Sequence, residues 1–214
     1  MTAHEPQRRR GRQSAETAIK TRQTIIEAAT ESFSRLGYEA TSVREIAQSA
    51  QLTHGTLRHH FGSKLEIWKA VADTVLDYYR AQLMPIVIAA EQEADPLHGF
   101  KQVVRAFINA SYNNPVFAKL LMVETQTDNE RSTHLERNFL SLHNPIGKLF
   151  ERARTQCGSL QNYSNDSFFL ALISLTFFPL MLPGIQSLLG DTATASPEQH
   201  VERIMGILFN DTHR

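Results

Sequence analysis

Cysteine is almost absent: Cys157 stands alone in 214 residues, which excludes an internal disulfide framework and a zinc finger built on cysteine pairs. Net charge is absent too, with 22 Lys and Arg balancing 22 Asp and Glu. No apolar run is long enough to cross a bilayer. Residues 168–190 lack any charge, but their strongly apolar part, Phe168–Phe178, is far shorter than the roughly 20 residues a helical span needs. Pro179 and Pro183 interrupt the rest of that stretch, so a helix buried in a core or a subunit interface is expected. No apolar leader comes after Met1, and a cytoplasmic protein without membrane association is expected. The chain holds no GxSxG, Gly-rich phosphate loop, HExxH or paired-carboxylate constellation, so neither an enzyme nor a cofactor is expected. No metal site is expected either. His59 and His60 are adjacent on a helix and diverge by roughly 100°, and Glu130 with His134 at i and i+4 suits a solvated ion pair better than a chelate.

The residues that are present read as helical. No convincing strand alternation occurs, and the pattern predicts an all-α chain with a small N-terminal head and a larger body. Charge divides the same way. Residues 1–64 hold ten Lys and Arg against six Asp and Glu, and residues 65–214 hold twelve against sixteen. A basic head on an acidic body suits a protein whose head alone meets a polyanion. Residues 1–16, with Arg8-Arg9-Arg10-Gly11-Arg12, read as a disordered basic arm, either a solubilising tail or one that tracks phosphates into a minor groove. Residues 17–66 read as the head and 67–214 as the body.

Within the head, a first helix is predicted over 17–36, with Ile19, Ile26, Ala29, Phe33 and Leu36 as its apolar face and Gly37 stopping it. Ser42 and Glu45 form a capping box that opens a second helix, buried through Val43, Ile46, Ala47 and Ala50. Thr53 caps a third helix to about Phe61, with Leu57 and Phe61 pointing inward. Ser63 and Glu66 form another capping box, opening a long fourth helix to about Leu83. Two short helices, a tight turn and a Thr-, His- and Arg-rich second helix are the layout of a helix-turn-helix that reads the DNA major groove.

Residues 24–68 resemble the DNA-binding head of the tetracycline-repressor (TetR) family of bacterial transcription regulators. The likeness rests on Phe33, Gly37-Tyr38, Thr41, Ile46-Ala47, Gly55-Thr56-Leu57, His60-Phe61 and Ser63-Lys64, in family order and without gaps. It implies DNA contacts from Arg44, Thr53, His54, Gly55, Thr56, Arg58, His59, His60 and Lys64. Thr53 and Lys64 match phosphate contacts, and the first turn of the third helix reaches base edges. Two positions depart from the family pattern. Gln51 stands in the turn where the family usually has Gly, and Arg58 stands where many relatives carry a phosphate-contacting Tyr.

The resemblance also implies a homodimer on a pseudo-palindromic double-stranded operator, sealed by residues 167–189 and 197–210 as a four-helix bundle. Helices between about 85 and 165 would enclose a pocket for an apolar or aromatic small-molecule effector that releases the DNA. Phe100, Phe107, Tyr112, Phe117, Met122, Phe139, His143 and Phe150 are its candidate lining, and ordinary core is the competing role for each. The expected function is therefore a ligand-responsive repressor. The fourth helix is the expected lever between effector and DNA. A helical protein-interaction module without DNA binding is the rival reading.

Overall fold

The computed structural model describes residues 8–124, 128–182, 184 and 196–210, with side chains from residue 15 onward. Among the described residues every regular element is helical: α1 (Arg8–Ala40), α2 (Val43–Ser49), α3 (His54–Phe61), α4 (Lys64–Glu91), α5 (Pro96–Asn113), α6 (Val116–Glu124), α7 (Glu130–Arg154), α8 (Gly158–Gln161), α9 (Asn165–Met181) and α10 (Pro197–Phe209). The chain divides into two compact units, Met1–Ala72 and Asp73–Arg214. The division falls inside α4, past the expected break at 66/67, and the first turns of α4, with buried Ile67, Trp68 and Val71, go with the head.

In the head, α1 begins at Arg8, so its backbone takes in residues 8–16 of the segment expected to be a disordered arm. Arg, Gln, Ala and Glu dominate that stretch, and they are good helix formers. Residues 1–7 of the expected arm lie outside the described residues. The core face of α1 is Ile25, Ile26, Ala28, Ala29 and Phe33, whereas Ile19 is 68% exposed and lies off the expected stripe. Gly37 interrupts the helix at φ 77°, a conformation that costs glycine little, and only a short turn continues beyond it. Thr41 then ties the exit of α1, its hydroxyl donating to the Gly37 carbonyl at 2.7 Å.

The body departs from the sequence expectation at its prolines. Pro85 lies inside α4 and Pro145 inside α7, although the sequence predicts a stop near Leu83 and, from Asn144-Pro145, a kink or a break in a helix over about 131–156. A proline inside a helix costs about 3 kcal/mol. Leu83, Val87 and Ala90 continue the buried stripe of α4, and Leu142, Ile146, Leu149 and Phe150 that of α7. Burial at roughly 1.5–3 kcal/mol per large side chain outweighs the lost hydrogen bond. α7 ends at Arg154, and Gly158, which the sequence predicts as the stop of that helix, opens α8.

α5 is central to the body, packing against α7, α9 and α10. Its Phe100 meets Phe150 at 5.7 Å and Phe168 at 5.3 Å between ring centroids, and Phe107 meets Phe169 and Phe177 at 5.8 Å. Tyr79 donates to the Asn114 carbonyl at 3.2 Å and packs on Phe117 at 4.9 Å. Burial pushes its phenol well above the ordinary range. α9 is apolar around most of its circumference, as expected, but it is buried on one side only. Phe168, Phe169, Leu172 and Phe177 face inward, while Leu170 and Phe178 are 66% and 50% exposed. Residues 183 and 185–189 of the expected interface segment lie outside the described residues. No described helix is long and apolar enough to cross a membrane.

Candidate functional site

The helix-turn-helix forms as its caps require. Ser42 Oγ accepts the Glu45 N–H at 3.2 Å, and the Glu45 carboxylate accepts the Ser42 N–H at 2.7 Å. That backbone bond, together with the smaller effect of the Ser42 hydroxyl, holds the Glu45 carboxyl below its ordinary range. Thr53 Oγ1 accepts the Thr56 N–H at 3.1 Å and lies 2.9 Å from Thr56 Oγ1, so the two hydroxyls share one hydrogen and leave the other. At Ser63 only half of the expected box forms. Ser63 Oγ accepts the Glu66 N–H at 3.2 Å, while the Glu66 carboxylate turns to Lys69 Nζ at 3.0 Å.

Leu57 and Phe61 are buried, which fixes the rotation of α3. His54, Gly55, Arg58 and His59 are therefore exposed, as are Thr53 before the helix and Arg44 on α2, with Thr56, His60 and Lys64 half-buried. α3 carries no acidic residue in its first turn, and Arg58, His59 and His60 occupy its last. Lys64 is preorganised: Nζ donates to the Glu39 carbonyl at 3.3 Å and sits 4.2 Å over the Tyr38 ring. One feature was missed in the sequence. Arg22 of α1 lies 4.2 Å over the Phe61 ring, adding a cation beside the end of α3. It is 39 residues away in the chain, and no local pattern joins the two.

Gln51 adopts φ 55°, the left-handed conformation expected where the family has Gly. Such a conformation costs a non-Gly residue about 1–2 kcal/mol, and Gly returns about 0.4–1 kcal/mol of that through the unfolded chain. Gln51→Gly is expected to raise head stability by about 1 kcal/mol net. A denaturant titration with an unchanged or lower midpoint would contradict the strain at this turn.

The body holds a second candidate, an open groove of about 830 Å³ between α6, α7 and α9. Its floor and one wall come from Leu121, Met122, Ser132, Leu135, Glu136 and Phe139. α9 supplies the other wall through Leu170, Ile173, Ser174, Leu175, Phe177, Phe178 and Pro179. Of the expected lining residues only Met122 and Phe139 reach it. Phe100, Phe107, Phe117 and Phe150 are core, each at most 4% exposed. Tyr112 packs on His200 at 5.1 Å. His143 lies behind the groove, stacked on Phe139 at 5.7 Å and 3.0 Å from the Asn165 amide. The sequence places the lining between about 85 and 165 and α9 in a dimer interface, so the α9 wall is not legible in it. His134 pairs with Asp73 at 2.7 Å, and no group of three metal-ligating side chains occurs among the described residues.

Residues 25–71 match the family described as bacterial regulatory proteins, tetR family. The match spans the helix-turn-helix and the start of α4, so the head is that of a tetR-family regulator. The HTH-type transcriptional regulator RutR of Escherichia coli (strain K12) is 28% identical over 114 residues, covering 53% of this chain and 51% of RutR. The chain thus spans about half the length of the curated relatives it matches. HlyIIR, a hemolysin II transcriptional regulator, superposes with a TM-score of 0.69 at 22% identity over 90% of this chain and 99% of that one. AibR, solved in complex with isovaleryl coenzyme A and operator DNA, does so with a TM-score of 0.70 at 18% identity over 88% and 98%. At these identities the structural likeness establishes the fold, and it extends through the body.

Proposed function

We propose that this tetR-family chain is a ligand-responsive, sequence-specific transcriptional regulator. It acts as a repressor, binds a pseudo-palindromic operator as a homodimer, and is released by a small molecule held in the α6–α7–α9 groove. The observation that carries the reading is the outer face of α3: exposed His54, Gly55, Arg58 and His59, a Thr53–Thr56 hydroxyl pair with one hydrogen left to donate, and no acidic residue in the first turn. A helix N-terminus of that kind attracts phosphate, and the next turn reaches base edges. The regulator names of the relatives and the operator-bound state of AibR support the same reading.

The proposed release is linkage. A ligand that prefers the conformation with separated heads lowers DNA affinity by its differential affinity for the two states. A hundredfold loss needs about 2.8 kcal/mol. α4 carries the division between the two units within one continuous helix, which suits it to transmit the change.

Selection of binding sites from random DNA tests the proposal directly. A recovered pseudo-palindrome with half-sites about one helical turn apart supports it, and recovery of no palindrome favours the protein-interaction module. Gly55→Ala sharpens the test. A Cβ at Gly55 meets nothing nearer than Thr53 Oγ1 at 3.7 Å, an ordinary contact, so the variant is expected to melt no lower than the parent. On DNA the added methyl obstructs close backbone approach, and operator affinity is expected to fall about tenfold. Unchanged affinity would remove Gly55 from the interface.

A further inference from the structure

The chemistry of the groove selects a class of ligand, an inference that rests on the groove being the effector site. Its described lining includes one charged residue, Glu136, which is exposed at the rim on α7 and pairs with no described residue. Its two hydroxyls are already committed as donors: Ser132 donates to the Asn129 carbonyl at 2.8 Å, and Ser174 to the Leu170 carbonyl at 2.7 Å. The remaining described lining is apolar, with three aromatic rings, Phe139, Phe177 and Phe178. Among described side chains the groove therefore presents acceptors and π faces but no uncommitted donor.

Neighbouring charge does not reverse this sign. Arg131, on the same helix, pairs with buried Glu124 at 2.7 Å, and neither Lys119 nor Arg137 is among the lining residues. In sequence, residues 125–127 and 183–195, which follow α6 and α9, contain no Lys, Arg or His, and Asp191 is their one charged residue. An anionic headgroup in this groove would lose its hydration without gaining a donor, which is unfavourable. A cation gains the Glu136 carboxylate and the faces of aromatic rings.

We propose that the groove takes an organic cation with an apolar body, and that it discriminates against anionic ligands such as carboxylates and acyl phosphates. Glu136 is the specificity-determining residue.

Calorimetric titration of the full chain with three probes of equal chain length tests this: octyltrimethylammonium, 1-octanol and octanoate. The cation is expected to bind about tenfold more tightly than octanoate, equivalent to about 1.4 kcal/mol. Glu136→Gln is expected to bring the cation level with octanol, and Glu136→Lys to place octanoate first. Because Glu136 is exposed, both variants are expected to retain the parent melting temperature. Octanoate binding the parent as tightly as the cation overturns the charge inference, as does a preference that survives Glu136→Gln, while octanol binding leaves the effector site standing. If none of the three binds, the groove is not a ligand site and both readings fall. Binding that appears only once the dimer is split assigns the groove to a second copy of the chain and also overturns the proposal.

Discussion

Arg58→Ala is expected to weaken operator binding by about 1–3 kcal/mol at each head and to flatten its salt dependence. Arg58 is exposed on α3, one residue past buried Leu57, and no described carboxylate pairs with it. Among the described residues its side chain makes no hydrogen bond or ion pair to lose, so the loss is expected on DNA and not in the melting temperature. Two heads double the effect to about 2–6 kcal/mol if each reads a half-site. Each phosphate contact contributes roughly 0.9 to the slope of log K against log salt, so a dimer that loses two contacts flattens by about 2. Fluorescence anisotropy across a salt series reads both quantities. Arg58→Lys separates the two roles. A lysine that keeps the slope and the selectivity marks a phosphate contact, whereas one that keeps the slope but loses a preferred guanine marks a bidentate base contact. Unchanged affinity and slope in Arg58→Ala dismiss the residue from the interface.

The head was legible because its determinants are local. Ser42 with Glu45 and Thr53 with Thr56 are separated by three residues, and each pair forms the bond its spacing demands. The i, i+4 pair Leu57 and Phe61 sets which face of α3 turns outward, and that alone exposes most of the expected DNA-contacting residues. Gln51 adopts its strained conformation because the turn geometry outweighs its own preference. The errors arose where tertiary contact decides. Pro85 reads as a helix stop and Pro145 as a kink or a break, yet the buried stripes on both sides carry α4 and α7 through them. Ile19 fits the period of α1 but lies beyond the stretch that meets the head core.

The groove was only partly legible for a related reason. Phe107, Phe117 and Phe139 are the same residue type, each on a helix, and packing alone makes the first two core and the third a wall. α9 looked like a helix needing cover on all sides. It instead divides its circumference between the body core and the open groove, onto which the exposed Leu170, Ser174 and Phe178 face. Glu136 drew no attention because a charge on a polar helix face is ordinary. Its significance comes from the donors spent at Ser132 and Ser174, which only the structure reveals.

The largest expected effect belongs to Ile207→Arg. α10 buries His200, Val201, Ile204, Met205 and Leu208 against the body and leaves Ile207 58% exposed. We propose that Ile207 lies in the homodimer interface expected of residues 167–189 and 197–210. Covering a large aliphatic or aromatic side chain contributes about 1.5–3 kcal/mol, and a two-fold axis counts each residue twice. Arginine at 207 removes that gain and places two unpaired cations in the contact, a further cost of several kcal/mol. Leu175→Arg tests the same surface less cleanly, because Leu175 is half-buried and also lines the groove. Sedimentation of Ile207→Arg is expected to give monomers at concentrations where the parent is dimeric. Operator affinity is expected to fall by about 10²–10⁴-fold as the second head loses its tethered advantage. Ile88→Arg, at a comparably exposed isoleucine of α4, supplies the control and is expected to stay dimeric. A dimeric Ile207→Arg with normal operator binding would move the interface elsewhere on the chain.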